Sequence, residues 1–296
     1  MSDRALPNLP YLPIAAAEPA TVSAEARAKE RALVAWLKGF GSTAVGFSGG
    51  VDSAYLACVA IDALGVDSVL AIIGRSPSYP AEQWATARAV ADRFGVPVLE
   101  VDTEEMLDPR YVANPTNRCY FCKTELWSRI GPIARARGLA ILVDGTNSDD
   151  LLDHRPGAAA AREHGVRSPL AELGFTKADI RALSHERGLP TWSQPSSPCL
   201  SSRIPYGTAV TRDRLARVEA AERALRALGI AGDLRVRHHG DLARVELAPG
   251  ELERWLGADA TSLREAVREA GYARVALDLR GFRSGSLNIL GGVTAA

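Results

Sequence analysis

The stretch STAVGFSGGVDS, residues 42–53, joins a short apolar segment to a turn rich in glycine and serine. Residues 42–47 are typical of a strand, and the apolar run 54–64 after the turn is typical of a helix that ends at Gly65. In open parallel sheets, ligands bind where a strand ends and a helix begins. The stretch therefore predicts an α/β fold with an anion site at its turn.

The residue types in the turn indicate a phosphate ligand. Gly49 and Gly50 let the backbone approach a ligand closely, and the hydroxyls of Ser48 and Ser53 can donate hydrogen bonds. Asp52 would repel a bare phosphate, so its presence indicates a Mg²⁺ ion between carboxylate and phosphates. The turn is neither a Walker A sequence nor a G-x-G-x-x-G dinucleotide motif. The alternative is a capped strand–helix turn without a ligand.

Strands and helices alternate outward from this turn. The apolar patterns predict strands at 68–73, 96–101 and 139–144 and helices at 24–40, 81–94 and 125–137. Pro132 is expected to kink or interrupt the last of these helices. This alternation predicts a doubly wound parallel sheet.

The pattern changes near residue 203. An amphipathic helix at 211–228 is followed by two short strands around His239-Gly240-Asp241, which is a hairpin signal. Helices at 252–256 and 263–270 and a strand at 274–279 complete a smaller α+β unit. We predict a flexible arm at 1–22, an α/β domain at 23–202, and an α+β domain for substrate binding or oligomerisation at 203–296.

A second polar turn follows the strand predicted at 139–144. Residues 145–157 contain the small hydrogen-bonding groups of Thr146 and Asn147 and three carboxylates that could hold a cation. Arg155 could neutralise a phosphate or a carboxylate substrate. Since this turn also lies at the carboxyl end of a strand, it is expected to face the same crevice as residues 48–53. The alternative is a solvated turn.

Three cysteines have a spacing that indicates metal or sulfur chemistry. Cys119 and Cys122 are two residues apart, and Cys199 lies far downstream. Three thiolates can hold three irons of a 4Fe-4S cluster and leave one iron open. There are two alternatives. One is a zinc site that a histidine completes. The other is a Cys119–Cys122 redox pair with Cys199 as the sulfur carrier. Cys58 is expected to be a small buried residue in a helix.

Basic residues flank the three cysteines. Arg118, Lys123 and Arg203 are adjacent or close to them in the sequence. A positive neighbour lowers the pKa of a thiol and favours the thiolate, which suits both cluster ligation and nucleophilic sulfur.

The charge balance argues against a long nucleic acid as the substrate. The chain has 35 Lys+Arg and 35 Asp+Glu in 296 residues, whereas tight nucleic-acid binding needs a basic surplus. No apolar run is long enough to span a membrane, and no secretory signal pattern is present, so a cytoplasmic protein is expected.

Five segments together resemble the LarE family of PP-loop ATP pyrophosphatases: residues 46–53, 117–123, 145–157, 198–207 and 235–240. The first segment alone indicates only the PP-loop superfamily. CLSSRIPYG at 199–207 and RVRHHG at 235–240 make the resemblance specific. LarE-type enzymes are ATP-dependent sulfur transferases that help to build the nickel-pincer nucleotide cofactor of lactate racemase.

The resemblance implies a reaction. ATP would adenylate a carboxylate of pyridinium-3,5-biscarboxylic acid mononucleotide, and sulfur would then replace AMP to give a thiocarboxylate. In one variant of the family, a cysteine matching Cys199 gives up its own sulfur. In the other, three cysteines carry a 4Fe-4S cluster that passes on sulfide, and the presence of Cys119, Cys122 and Cys199 favours this variant. A homo-oligomer, with a hexamer as the expected form, is also implied.

The resemblance also implies roles for single residues. Those expected to bind ATP and Mg²⁺ are Gly46, Phe47, Ser48, Gly49, Gly50, Asp52, Ser53, Thr146 and Asn147. Arg235 and Arg237, at i and i+2 of a strand, would share a face and clamp the anionic substrate; the alternative is two solvated arginines. Arg203, Arg155 and a stacking Trp84 are expected to assist substrate binding. Glu222 and Glu246 are expected to contribute to a Mg²⁺ site.

Three other functions remain open from the sequence. A PP-loop tRNA thiolase also uses cysteines, but the neutral charge argues against it. An NAD synthetase-like ammonia ligase would leave the three cysteines without a role. A zinc-stabilised nucleotide-binding module without catalysis is the third.

Overall fold

A computed structural model describes residues 20–152, 156–195, 199–257 and 260–283, with only the backbone of Leu152. The strands are β1 (Thr43–Gly46), β2 (Val69–Arg75), β3 (Val98–Asp102), β4 (Ile141–Val143), β5 (Leu234–His239), β6 (Leu242–Leu247) and β7 (Arg274–Leu277). The helices are α1 (Ala24–Phe40), α2 (Val51–Leu64), α3 (Ala81–Phe94), α4 (Pro109–Val112), α5 (Arg118–Ala136), α6 (Pro156–Glu163), α7 (Pro169–Glu172), α8 (Lys177–Glu186), α9 (Arg212–Ala227), α10 (Pro249–Leu256) and α11 (Ala260–Glu269). Short 3₁₀ turns lie between several of these elements.

The first sheet is parallel throughout and has the order β3-β2-β1-β4. Successive residues of β1 and β2 face opposite sides: Val45 and Ile73 pack in a core with α1, α2, α3 and α8, whereas Ala44 packs with α5 and α6. Because helices cover both faces, the strands are apolar on both sides. The predicted doubly wound α/β fold is confirmed.

The order of this sheet brings the two predicted polar turns together. β1 lies between β2 and β4, and Val45 pairs with Val143. The turn at residues 48–53 follows β1, and the turn that begins at Gly145 follows β4. Since parallel strands end at the same edge, the two turns open onto one crevice.

The second sheet has the order β5-β6-β7. β5 and β6 form the predicted hairpin, with Gly240 in the left-handed region at φ 67°, and β7 joins β6 in parallel. This sheet packs on α9 and α11 around a core that includes Leu225, Val236 and Trp255. The predicted α+β unit is therefore present.

A third apolar cluster joins the two units. Tyr111 from α4 packs with Leu200 and Ile204, which follow Cys199, and with Leu215 and Val218 of α9. All five side chains are buried. The predicted boundary between residues 202 and 203 thus lies inside a packed region, and the division into domains stays a prediction. The arm predicted at 1–22 lies almost wholly outside the described residues.

The structure corrects the predicted start of α5. The helix begins at Arg118, not at residue 125, so Cys119 and Cys122 lie in its first turns rather than before it. Pro132 lies inside the helix without interrupting it, and the predicted alternative of a kink stays a prediction. The apolar pattern missed the first turns because their polar and cysteine side chains face a cavity instead of a core.

Helices α6, α7 and α8 were missed as well. Their segments lack a long apolar stripe, but α8 has a sequence signal that could have been used. Thr176 and Asp179 form a capping box in which each side chain accepts a hydrogen bond from the other residue's backbone N–H. No helix among the described residues is long and apolar enough to cross a bilayer.

A buried histidine in the second sheet predicts pH-dependent stability. Burial, with the charges of Arg214 and Arg217 and of His239, lowers the pKa of His238 from 6.5 to about 4. Below pH 6.5 the unfolded chain binds a proton that the folded chain does not bind until about pH 4. The free energy of unfolding should therefore fall by about 1–3 kcal/mol as the pH is lowered through this window.

Urea unfolding at pH 7 and pH 5 measures this loss. His238→Asn removes the titrating ring next to the Tyr272 hydroxyl, 3.1 Å from Nδ1, and should reduce the loss. The exposed His164 gives a matched control, His164→Asn, which should keep the loss of the parent protein. Equal pH dependence in all three proteins would contradict the assignment.

Candidate functional site

A cavity of about 640 Å³ lies between the carboxyl edge of the first sheet, the start of α5 and the strand β5. Its volume is in the range of small-molecule sites. The predicted site residues on its wall are Gly46, Phe47, Ser48, Gly50, Asp52, Ser53, Thr146, Cys119, Cys122, Cys199, Arg235 and Arg237. The structure therefore brings the phosphate turn, the three cysteines and the arginine pair to one space.

The turn at residues 48–53 is held in shape by its own hydroxyls. Ser53 Oγ accepts a hydrogen bond from Ser48 N at 3.2 Å and donates one to Gly50 O at 3.2 Å. The Ser48 carbonyl oxygen accepts hydrogen bonds from Tyr79 Oη and Gln83 Nε2. The turn is thus organised before any ligand binds, and the start of α2 points its free N–H groups toward the cavity.

Two glycines permit close approaches that this turn requires. Gly49 has φ 69°, and a Cβ there would lie 2.4 Å from the Ala87 Cβ on α3. A Cβ on Gly145 would lie 2.8 Å from the Ser53 backbone nitrogen. Both positions therefore exclude a side chain, since such distances are far below van der Waals contact.

Asp52 is held between the two turns. Its carboxylate accepts a hydrogen bond from Asn147 Nδ2 at 3.3 Å and pairs with the ammonium of Lys177, the first residue of α8. Asn147 Oδ1 in turn accepts from the backbone N–H groups of Asp149 and Asp150. Asn147 is buried and does not line the cavity, so its role is to position the Asp52 carboxylate. Lys177 lines the cavity.

Cys119 and Cys122 share one face of α5 at a spacing of i and i+3, and Cys199 lines the same cavity. Arg203 Nη1 donates to the Cys199 carbonyl oxygen at 3.0 Å, and Leu200 N donates to Ser78 O at 2.8 Å. These bonds anchor the segment that carries Cys199. Cys58 is buried in α2 away from this cavity, as predicted.

The expectation that basic neighbours lower the thiol pKa is wrong for Cys122. Burial, followed by the charge of Glu105, raises the pKa of this thiol well above its ordinary value. The charge of Lys123 lowers the pKa of Cys122, but by less than burial and Glu105 raise it, and Arg203 pairs with Glu222. Desolvation therefore outweighs charge at Cys122.

Arg235 and Arg237 both line the cavity and are 3% and 5% exposed, which excludes the alternative of two solvated side chains. Arg237 donates to Glu246 Oε2 through Nε and Nη2, at 2.9 and 2.8 Å, and to Ser202 O. Arg235 lies over the Phe282 ring, with Cζ 4.9 Å from its centroid. Neighbouring groups thus hold both guanidinium groups at the wall.

Several predicted site residues do not line this cavity. Arg203 is buried, and its Nε and Nη2 each donate to one oxygen of Glu222 at 2.9 Å. Glu246 accepts hydrogen bonds from Arg237 and Arg244. The Trp84 ring packs against Arg75, whose Cζ lies 4.5 Å from the ring centroid. Glu222 and Glu246 are both paired with arginines. Their contribution to a Mg²⁺ site stays a prediction. Arg155 lies outside the described residues.

Comparison with known proteins gives the family. A protein of Lactiplantibacillus plantarum named pyridinium-3,5-bisthiocarboxylic acid mononucleotide synthase is 39% identical over 260 residues, which is 88% of this chain and 94% of the relative. The chain belongs to the LarE family. An uncharacterized protein of Synechocystis is 46% identical over 245 residues, 82% of this chain and 91% of the relative.

The LarE-family chain also matches NAD synthases over its first part. The NAD synthase family profile matches residues 33–135. An NH₃-dependent NAD⁺ synthetase of Chlorobaculum tepidum is 35% identical over 77 residues, 26% of this chain and 28% of the relative. The profile match includes the phosphate turn and ends before Cys199, which agrees with a PP-loop domain shared between LarE-type enzymes and NAD synthases.

The donor atoms on the cavity wall are of the types that the expected metals bind. Among the described residues, no three His, Cys, Asp or Glu side chains lie close enough to hold a single ion. A 4Fe-4S cluster does not require that, because each thiolate binds a different iron. Mg²⁺ commonly takes one or two carboxylates and completes its shell with water and substrate phosphates, so the single carboxylate of Asp52 at the phosphate turn is compatible with the predicted Mg²⁺ site.

Sequence reasoning missed Lys177, Tyr79, Gln83 and Glu105 on the cavity wall. Lys177 follows the Thr176 cap of a helix that was not predicted, and the capping box was the available signal. Glu105 is 2% exposed, and its Oε2 has no hydrogen-bond partner among the described residues. Nothing in its sequence context distinguishes it from a surface glutamate.

Proposed function

We propose that this LarE-family protein converts the carboxylates of pyridinium-3,5-biscarboxylic acid mononucleotide to thiocarboxylates. The observation that carries the proposal is that the phosphate turn and the three cysteines line one cavity. The name of the Lactiplantibacillus relative, a synthase of the bisthiocarboxylic acid, supports the product.

The first half-reaction would form an acyl adenylate. A substrate carboxylate oxygen attacks the α-phosphorus of ATP, the bond to the β-phosphate breaks, and pyrophosphate leaves. The amides and hydroxyls of residues 48–53 would hold the departing pyrophosphate, with Asp52 as the ligand of Mg²⁺. Bound Mg²⁺ would supply charge neutralisation on the phosphates.

The second half-reaction would install sulfur. A sulfur nucleophile attacks the acyl carbon, and AMP leaves with the former carboxylate oxygen. AMP is a far better leaving group than an oxide, so adenylation by ATP makes the acyl carbon open to attack by sulfur. Cys119, Cys122 and Cys199 would hold a 4Fe-4S cluster, whose open iron would supply sulfide from an external donor.

Arg235 and Arg237 would bind the anionic groups of the mononucleotide. Their side chains are fixed by Phe282, Glu246 and Ser202, so little conformational entropy is lost on binding. A homo-oligomer with a hexamer as its expected form, a cytoplasmic location and the absence of a nucleic-acid partner remain predictions.

A product assay tests the proposed function. Purified protein with Mg²⁺, ATP, the biscarboxylic acid mononucleotide and sulfide should release AMP and pyrophosphate and yield a thiocarboxylate detectable by its mass. Deamido-NAD⁺ with ammonia, and unmodified tRNA with sulfide, test the two alternative enzymes. Product from either of these, with none from the mononucleotide, would overturn the proposal.

Metal analysis tests the cluster separately. Protein purified anaerobically should contain about four irons and four sulfides per chain, as expected for a 4Fe-4S cluster. Cys119→Ala should lose most of both, and Cys58→Ala should keep them because Cys58 lies in the core behind the phosphate turn. Zinc in place of iron would show that the cysteines form a zinc site.

Lys177 should be needed for ATP cleavage, although no motif indicated it. Its ammonium pairs with Asp52 at the phosphate turn, where a cation would meet the phosphates of ATP. Lys177→Met should lower pyrophosphate release about tenfold to hundredfold, the loss expected for one charged contact. Lys29→Met is the matched control, because Lys29 pairs with Asp179 outside the cavity at 2.9 Å. Equal rates in both variants would contradict this role.

A further inference from the structure

Arg118 is a buried cation on the cavity wall. It is 4% exposed, begins α5 and precedes Cys119. Its Nη1 donates hydrogen bonds to Asn114 Oδ1 at 2.6 Å and to Ser201 O at 2.9 Å. Both acceptors are neutral, so these bonds orient the guanidinium group without balancing its charge.

The three basic residues beside the thiols differ in their contacts. Arg203 forms two hydrogen bonds with the Glu222 carboxylate. Lys123 and Arg118 each lie near an aromatic ring, at 5.1 Å from the Trp127 centroid and 6.0 Å from the Tyr206 centroid, but Lys123 is partly exposed whereas Arg118 is buried. In the described parts of the chain, Arg118 forms no hydrogen bond or ion pair with a carboxylate. A buried charge without a counter-ion is costly, which favours a ligand that brings the anion.

The position of Arg118 indicates which cysteines would lie next to such a ligand. Arg118 precedes Cys119 on α5 and lines the same cavity as Cys199. Through Ser201 it is also bonded to the segment that carries Cys199. Arg237, in contrast, is already paired with Glu246.

We propose that Arg118 binds a carboxylate group of the substrate beside Cys119 and Cys199. The proposal rests on the proposed function and names the residue that receives the reacting end of the substrate. An arginine is suited to this task because its planar guanidinium group matches a carboxylate. Arg235 and Arg237 would then hold the remaining anionic groups of the mononucleotide.

Paired alkylation reagents test this without ATP. Iodoacetate carries a carboxylate, whereas iodoacetamide has the same size and no charge. Both react with the thiolate, so the ratio of their rates at one cysteine does not depend on the fraction of thiolate. In the metal-free protein, peptide mapping gives the rate with iodoacetate divided by the rate with iodoacetamide at each cysteine. This ratio should be higher at Cys119 and Cys199 than for free cysteine in the same buffer.

Charge variants assign the effect to Arg118. Arg118→Gln should lower the ratio about tenfold, the loss of one charge-assisted hydrogen bond, and Arg118→Lys should lower it less. The matched control is Arg110→Gln, which removes the same charge from an exposed arginine paired with Asp108 and should not change the ratio. An unchanged ratio in folded Arg118→Gln would overturn the proposal.

A second measurement uses the unaltered protein, in case Arg118→Gln does not fold. Pyridine-3,5-dicarboxylate should slow the alkylation of Cys199 by iodoacetamide, and pyridine at the same concentration should not. Equal effects of the two compounds, or a wild-type reagent ratio no higher than that of free cysteine, would overturn the proposal. The product assay is independent, because a failure of ATP cleavage would leave the alkylation ratio unaffected.

Discussion

Asp52→Asn should reduce pyrophosphate release by about a hundredfold to a thousandfold, which is the loss typical of removing one group that stabilises transition-state charge. Asparagine has the same shape, but it lacks the negative charge that binds Mg²⁺ at the phosphate turn. The effect should appear in the rate at saturating Mg²⁺ as well as in the apparent affinity for Mg²⁺. A continuous pyrophosphate assay with the mononucleotide substrate measures both.

The same change should barely affect stability. Asp52 and Lys177 are 19% and 34% exposed, and partly exposed ion pairs contribute less than about 1 kcal/mol. Asp62→Asn is the control, because Asp62 lies on the same helix α2 and pairs with Arg187 away from the cavity. If Asp52→Asn retains most of the pyrophosphate release, Asp52 does not hold the metal.

Cys199→Ser should separate the two half-reactions. Thiocarboxylate formation should fall by at least about a hundredfold, because the hydroxyl neither carries sulfur nor ligates iron as a thiolate does. Pyrophosphate formation in a single turnover should fall far less, since the phosphate turn is held by Tyr79, Gln83 and its own hydroxyls. Product masses and pyrophosphate are measured in the same quenched samples.

The controls for this experiment are the remaining cysteines. Cys58→Ser leaves the cavity wall unchanged and should keep thiocarboxylate formation, provided that the variant folds. Cys122→Ser tests whether sulfur transfer requires three thiols or Cys199 alone. Full sulfur transfer by Cys122→Ser for many turnovers would contradict the cluster, and full transfer by Cys199→Ser would exclude Cys199 from sulfur transfer.

The parts of the molecule that follow local rules could be predicted from the sequence. The strand, turn and helix around residues 48–53 have a short-range pattern, and the hairpin at Gly240 has a turn residue that tolerates a positive φ. The meeting of the turns after β1 and β4 followed from one rule about parallel sheets. The shared face of the two arginines of β5 followed from the two-residue period of a strand, whereas their place at the substrate site came from the resemblance to the LarE family.

The rest of the site depends on contacts between distant segments. Lys177 reaches Asp52 from α8, and Gln194 Nε2 donates to the Gln83 side chain that supports Ser48. The start of α5 was misplaced because its cavity-facing side chains are not apolar. The pKa of Cys122 is raised by burial and by the charge of Glu105, which comes from a distant segment. Local patterns contain no information about such pairings.

The most direct test of carboxylate activation at the phosphate turn follows oxygen atoms. Mononucleotide substrate with ¹⁸O in both oxygens of each carboxylate is converted in ordinary water, and the AMP is analysed by mass spectrometry. Adenylation predicts one ¹⁸O in AMP for each thiocarboxylate formed, because the bridging oxygen leaves with AMP. Unlabelled AMP beside a labelled thiocarboxylate, or ¹⁸O in inorganic phosphate, would contradict the proposed mechanism.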